Sequence, residues 1–206
     1  LGWKSELLDQ RLRLNGAIYR MEIDDIILDY LPDPVNSPQF VEVFNSGEAT
    51  IEGLELDVTW AMSDNFLLGI SYAYLDYDIE DAIFPDGSDR SDTTGLVWAP
   101  EHAWAAMVDW TIPASYGQWL LHADYSWQDD QLALAKTNFG EVTVGSFGLL
   151  NARLSLADVD MLGGNWQFAL WAKNVQDRDN ISYAIGATSF TYLMPRTYGA
   201  ELILEF

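Results

Sequence analysis

The sequence predicts an all-β fold, an antiparallel transmembrane β-barrel to which this chain contributes about nine strands. Three observations carry the prediction. Segments of about ten residues alternate apolar and polar side chains, the period of an extended strand. The connections between them alternate short and long, as periplasmic turns and extracellular loops do in such barrels. The final segment alternates to its last residue: Tyr198, Ala200, Leu202, Leu204 and Phe206 fall on one face, and Thr197, Gly199, Glu201, Ile203 and Glu205 on the other.

Composition removes several function classes. The chain has 206 residues, 49% of them hydrophobic and 14% aromatic with 9 Trp, which is far from a disordered composition. Its net charge of −22, from 32 acidic and 10 basic residues, excludes the basic footprint that nucleic acid requires. There are no cysteines, so any exported form needs no disulfide. No apolar run approaches the roughly 18 residues of a transmembrane helix. The chain begins at Leu1 and carries no signal peptide, so a piece of a longer polypeptide, or a mature or trimmed form, is expected.

Taken in order, residues 1–8 form a short strand and 9–10 a tight turn. Residues 11–28 alternate at first, with Leu12, Leu14 and Ile18 opposite Arg11, Arg13, Asn15 and Tyr19. Residues 30–39 contain Pro32, Pro34 and Pro38 and form a loop, because proline cannot donate to a ladder. In the strand 40–62, Leu54, Leu56, Val58 and Trp60 alternate with Glu55, Asp57 and Thr59. After a turn at 63–65, the strand 66–79 places Phe66, Leu68, Ile70, Tyr72 and Tyr74 on one face and Gly69, Ser71 and Ala73 on the other. Residues 81–95 form a loop, and 100–112 a strand with Trp104, Ala106, Val108 and Trp110 on its apolar side. A turn at 113–117 precedes the strand 118–131, where Trp119, Leu121, Ala123, Tyr125 and Trp127 oppose Gln118, His122, Asp124 and Ser126. A looser stretch, 133–146, leads to the strand 147–159, with Leu150, Ala152, Leu154 and Leu156 opposite Asn151, Arg153 and Ser155. A turn at 160–164, a strand 165–175 carrying Trp166, Phe168 and Leu170, a long loop 179–195 and the closing strand complete the chain.

Alternation alone also suits a soluble β-sandwich or lipocalin-like barrel, with the apolar face turned into a core. Strand length, the loop rhythm, aromatic residues near strand ends and the terminal Phe206 favour the membrane. On that reading Leu54, Leu56, Trp60, Phe66, Leu68, Ile70, Tyr72, Trp104, Trp119, Leu121, Leu154 and Leu202 face lipid. Tyr198, Leu202, Leu204 and Phe206 form a C-terminal barrel-assembly signal. Loops 30–39, 81–95, 133–146 and 179–195 lie at the cell surface, and the short turns lie in the periplasm. An odd number of strands cannot close in the usual antiparallel way, so earlier strands are expected and both edge strands need partners.

Motifs that carry chemistry are scarce. There is no phosphate-binding glycine loop, no His-x-x-x-His pair and no Gly-x-Ser-x-Gly elbow, so no catalytic residue, metal ligand or cofactor site is assigned. His102 and His122 are isolated, the first with lipid-side parity, the second with lumen parity beside Asp124. Residues 86–92 offer Asp86, Asp89 and Asp92 at every third position, a spacing open to Ca²⁺ but lacking the geometry of an EF-hand; a solvated loop is the stronger reading.

The stretch Trp171-Ala172-Lys173-Asn174-Val175-Gln176-Asp177, followed by Pro195-Arg196-Thr197-Tyr198-Gly199 and Phe206, resembles the C-terminal signature of TonB-dependent outer-membrane receptors. The run from Asn45 through Gly47, Ala49, Gly53 and Glu55 is similar to that family's Asn-x-Gly-x-Ala-x-x-x-Gly-x-Glu strand, and Arg11 to Tyr19 to the strand before it. The resemblance spans nearly the whole chain. It implies the C-terminal part, residues 1–206, of a 22-stranded plugged barrel in the bacterial outer membrane. It also implies, as partners, outer-membrane lipid, an N-terminal plug and further strands, TonB through that N-terminal part, and a small-molecule or metal-chelate ligand: a ferric siderophore, haem, cobalamin or an oligosaccharide. The alternative is a soluble or surface-exposed β-domain that binds carbohydrate on its Trp and Tyr side chains.

Overall fold

The computed structural model describes every residue except 31, 34, 35, 37–39, 41, 138, 139, 185–188 and 206, and describes 134–137, 140 and 141 by their backbone. The strands are β1 (Gly2–Leu7), β2 (Leu12–Asp24), β3 (Ile27–Tyr30), β4 (Glu42–Asn45), β5 (Glu48–Ser63), β6 (Phe66–Glu80), β7 (His102–Ala114) and β8 (Gly117–Gln128). They continue with β9 (Gln131–Thr137), β10 (Gly140–Val144), β11 (Phe147–Met161), β12 (Gly164–Lys173), β13 (Ile181–Ala184), β14 (Phe190–Tyr192) and β15 (Thr197–Glu205). Nine of them form one antiparallel sheet in the order β1-β2-β5-β6-β7-β8-β11-β12-β15. Sequence neighbours therefore pair throughout, and β1 and β15 lie at the two edges.

All short connections fall at one end of this sheet and all long ones at the other. At the turn end, β1–β2 bends through Leu8, Asp9 and Gln10, all at positive φ, and β11–β12 through Leu162 and Gly163 at φ 54 and 83. Left-handed residues are what tight hairpins between right-twisted strands demand. At the loop end, the long connections carry structure of their own. Three hairpins, β3–β4, β9–β10 and β13–β14, stand outside the main sheet. Here the sequence reading needs correction. Residues 11–28 and 40–62 are not single strands: each breaks near residues 25 and 46–47, where β3–β4 branches off. The stretch 133–146 is not loose but largely the hairpin β9–β10, whose register shifts at two points and so hides its alternation. Phe206 lies outside the described residues.

The register sorts side chains into two faces. One apolar row runs Val58–Ile70–Ala106–Tyr125–Leu150 across five strands. The neighbouring row of opposite parity runs Asn15–Asp57–Ser71–Ala105–Ser126. Every described residue assigned to the apolar side above falls on the same face by this register. Among the described residues no large side chain is fully buried, and Ile70, Leu154 and Leu202 are 39%, 42% and 59% exposed. Among the described residues the apolar face therefore covers no core, whereas a soluble sandwich would require one.

Past the row Ile18–Leu54–Tyr74 towards the loop end, the two faces exchange character. The formerly apolar side now carries Arg20, Glu22, Glu48, Glu52, Asp76, Asp78 and Glu80, with Arg20 donating to Glu22 at 3.0 Å and to Glu52 at 2.8 Å. The formerly polar side now carries Ile23, Ala49, Tyr77 and Ile79, which pack with Ala82, Phe84, Leu28, Tyr30 and Phe44 into a small core. Ala49 is 2% and Ile79 6% exposed. A second small core, Ala133, Val142, Val144 and Ala184, joins β9–β10 to β13–β14 at the same end.

Candidate functional site

The polar face is concave. A trough of about 980 Å³ runs over it from β1 to the start of β11. Its lining comes from two rows of polar-face parity and the one apolar-parity row between them, which a cavity on the polar side would touch through its backbone. The floor is made of small side chains, among them Ala17, Ser71, Ala73, Ala103, Ala105 and Ser126.

Beside the trough, charged side chains converge. Asp109 on β7 and His122 on β8 are opposite one another, with Asp109 Oδ1 2.7 Å from His122 Nδ1. Asp124 Oδ1 lies 3.4 Å from His122 Nε2. Asn151 on β11 donates to Asp124 Oδ2 at 2.7 Å. Arg153, across from His122, donates to Glu201 on β15 at 2.6 Å. Among the described residues no group of three or more His, Asp or Glu side chains is arranged to hold a metal ion. The cluster forms a polar wall. His102 sits where its parity predicted, on the apolar face. Its ring stacks on Tyr72 and lies tilted against Tyr74, with centroids 6.1 and 5.1 Å apart, and its Nδ1 lies 2.9 Å from the Tyr72 hydroxyl.

The loop 81–101 explains its own aspartates. Asp86 accepts from the Ser88 backbone and hydroxyl and from Arg90; Asp89 does the same for Ser91. These bonds, those from Ser88 foremost, hold the Asp86 carboxyl below the usual carboxylate range, and the Ser91 backbone and hydroxyl do so for Asp89. The Asp86 and Asp89 carboxylates are spent on turns of the loop. Arg90 lies 4.2 Å over the Phe84 ring and 5.7 Å over Tyr30, so the loop is clasped onto the first small core.

The residues quoted from the C-terminal signature form a knot. Asn174, 6% exposed and at φ 49, ends β12. Its side chain donates to the carbonyls of Arg178 at 2.8 Å and Met194 at 2.9 Å, and accepts from the Arg178 N–H at 2.9 Å. Asp177 accepts from the Arg196 N–H at 2.9 Å, and the Arg196 guanidinium reaches the Val175 carbonyl at 3.4 Å. One buried amide thus ties the start of the last long loop to its end, which sets where β15 begins.

The sequence model of the family described as TonB dependent receptor-like, beta-barrel matches residues 1–175. The chain belongs to this family. Solved structures agree on the fold of the TonB-dependent receptor barrel. The siderophore receptor PiuA from Acinetobacter baumannii matches at 20% identity and a TM-score of 0.74, over 98% of this chain and 27% of that one. The ferric yersiniabactin uptake receptor FyuA from Yersinia pestis matches at 15% and 0.72, over 100% and 29%. The pyoverdine outer membrane receptor FpvA from Pseudomonas aeruginosa PAO1, bound to pyoverdine, matches at 15% and 0.72, over 98% and 28%. This chain spans under a third of each of those receptors. No curated protein sequence matches it.

Within the family frame, the sequence located the signature residues but not their task. That Asn174, Asp177 and Arg196 meet in one knot has no periodic signal; only their residue types, amide, carboxylate and guanidinium, hinted at it. Glu55 and Asp57 are on the polar face as alternation predicts, and both line the trough.

Proposed function

We propose that this chain is the C-terminal part of the barrel of an outer-membrane TonB-dependent receptor that takes up a scarce ligand. The observation that carries the proposal is the exchange of polarity along β2, β5 and β6. An apolar band followed along the same strands by an acidic outer face fits a wall that leaves hydrocarbon and enters water. On this reading Leu54, Leu56, Trp60, Phe66, Leu68, Ile70, Tyr72, Trp104, Trp119, Leu121, Leu154 and Leu202 contact lipid. The aromatics near both ends of the band, with Trp110 and Trp166 at the turn end and Tyr74 and Trp127 at the loop end, are its interfacial girdles. The turn end is periplasmic and the loop end extracellular. The trough and the wall around His122 face the lumen, where the plug of the whole receptor sits. β1 and β15 take the neighbouring barrel strands, and Tyr198, Leu202 and Leu204 serve in assembly at the closing seam.

Structural neighbours named as a siderophore receptor and a ferric yersiniabactin uptake receptor support a ferric siderophore over haem, cobalamin or an oligosaccharide as the ligand. The family is one of receptors, and no catalytic role is part of this proposal. The test is growth. A strain lacking the gene for the whole receptor should lose growth on one ferric siderophore under iron limitation and regain it with the gene. Unchanged growth across a panel of hydroxamate, catecholate and phenolate chelates would reject the iron reading.

A further inference from the structure

We propose that Asn151 is a positioning residue that couples the β13–β14 hairpin to the carboxylate–imidazole pair on the polar face. For its biological meaning the coupling rests on the reading of that face as a lumen wall; its geometry does not. The roots of the hairpin, at Arg178 and Met194, both bond to the one side chain of Asn174. A displacement of either root therefore acts on Asn174. The Asn174 N–H in turn donates to Asn151 Oδ1 at 3.0 Å, while Asn151 Nδ2 donates to Asp124 Oδ2 at 2.7 Å. Oxygen and nitrogen of a carboxamide sit on one planar group, so a pull on the first moves the second. The partners also fix which is which: a backbone N–H can meet only the oxygen, and a carboxylate only the NH₂.

Asp124 carries the chain onward. Its other oxygen faces His122 Nε2 at 3.4 Å, and His122 Nδ1 meets Asp109 at 2.7 Å. The charged groups around the imidazole are thus Asp109 on β7, Asp124 on its own strand, and Arg153 across on β11, itself engaged by Glu201 on β15. The neutral Leu67 lies across from Asp109 on β6. Whatever changes the bond from Asn151 to Asp124 changes how Asp124 presents its second oxygen to His122. A rearrangement of the hairpin at the loop end is thereby expressed as a change in the polar wall, through a polar chain that crosses from the last long loop to β7.

The experiment uses the whole receptor in detergent micelles with ¹⁵N-labelled histidine. The His122 ring signals are assigned by their loss in His122→Gln, and all spectra are taken at one pH. Asn174→Ala should move the His122 Nε2 signal. In an Asn151→Leu background, Asn174→Ala should move it no further. Asp177→Ala, which releases the Arg196 N–H at the hairpin root and leaves Asn174 in place, supplies the same comparison should Asn174→Ala fail to fold. Equal shifts with and without the Asn151 amide, or no shift from either root variant, would overturn the proposal. Neither result depends on whether the receptor transports iron, so loss of the coupling and loss of the transport reading are told apart.

Discussion

The strands β2, β5 and β6 have two regions built on the same backbone and opposite chemistry. From the turn end to the row Ile18–Leu54–Tyr74, the face bearing Ile70 is apolar and the other face is polar. Beyond that row, Asp76, Asp78 and Glu80 occupy the first face, and Tyr77 and Ile79 pack with the loops on the second. Period and hydrogen bonding do not change at the crossing. What changes is which side each face has to satisfy. In the lower region the apolar face finds no partner among the described residues; in the upper region the apolar side is covered by Ala82, Phe84 and the β3–β4 hairpin. The lesson is that alternation states only that two faces differ, and the environment decides which face is which.

Substitutions sharpen this contrast, beginning with the largest effect. Ile70→Arg should cost about 2–4 kcal/mol in reversible folding of the receptor into bilayers, because it places a charge in the apolar band. Asp78→Arg, on the same face eight residues on, should change stability by less than about 0.5 kcal/mol. Similar losses at the two sites would erase the distinction between the regions. In the upper region the sensitive face is the opposite one: Ile79→Ala should cost about 2 kcal/mol by leaving a cavity in the small core, and denaturant unfolding measures it.

The clasp over that core gives smaller effects. Arg90→Ala removes a cation lying on Phe84 and an ion pair with a half-exposed Asp86, for a loss of about 1 kcal/mol. Amide exchange in residues 82–91 should rise while exchange in β7 and β8 stays unchanged. The pH dependence is weaker still. Asp86 and Asp89 have their folded carboxyls below the ordinary value, so their contribution is present above the unfolded value and fades as pH falls through the folded one. Loop protection, taken relative to the intrinsic exchange rate at each pH, should therefore fall on acidification below the ordinary aspartate range, and be flat from there to neutral pH. An onset near neutral pH would point to a different group.

Much of the lower region was legible in the sequence, and little of the upper. Phe66, Leu68, Ile70, Tyr72 and Tyr74 announce their face by a period of two, and the register places them on it. The same strand goes on to Tyr77 and Ile79, where the apolar residues pass from even to odd positions; the switch is present in the sequence, but two or three repeats in the new phase are too few to tell it from the end of the strand. The hairpins in the long connections escaped for a second reason. Four-residue strands such as Ile27–Tyr30, and the register shifts in β9–β10, give too few repeats to read. The polar wall was half legible: His122 beside Asp124 was apparent from β8 alone, whereas Asp109 and Asn151 come from other strands and need the register.

The central claim is that one face of the lower region meets lipid and the same face of the upper region meets water. Nitroxide labels at Ile70→Cys and Asp76→Cys in the whole receptor, reconstituted in liposomes, test it most directly, because the two positions share a face and differ only in height. Collision with dissolved oxygen should dominate at position 70, and collision with a water-soluble nickel chelate at position 76. Equal accessibility of both positions to the nickel chelate would contradict the account.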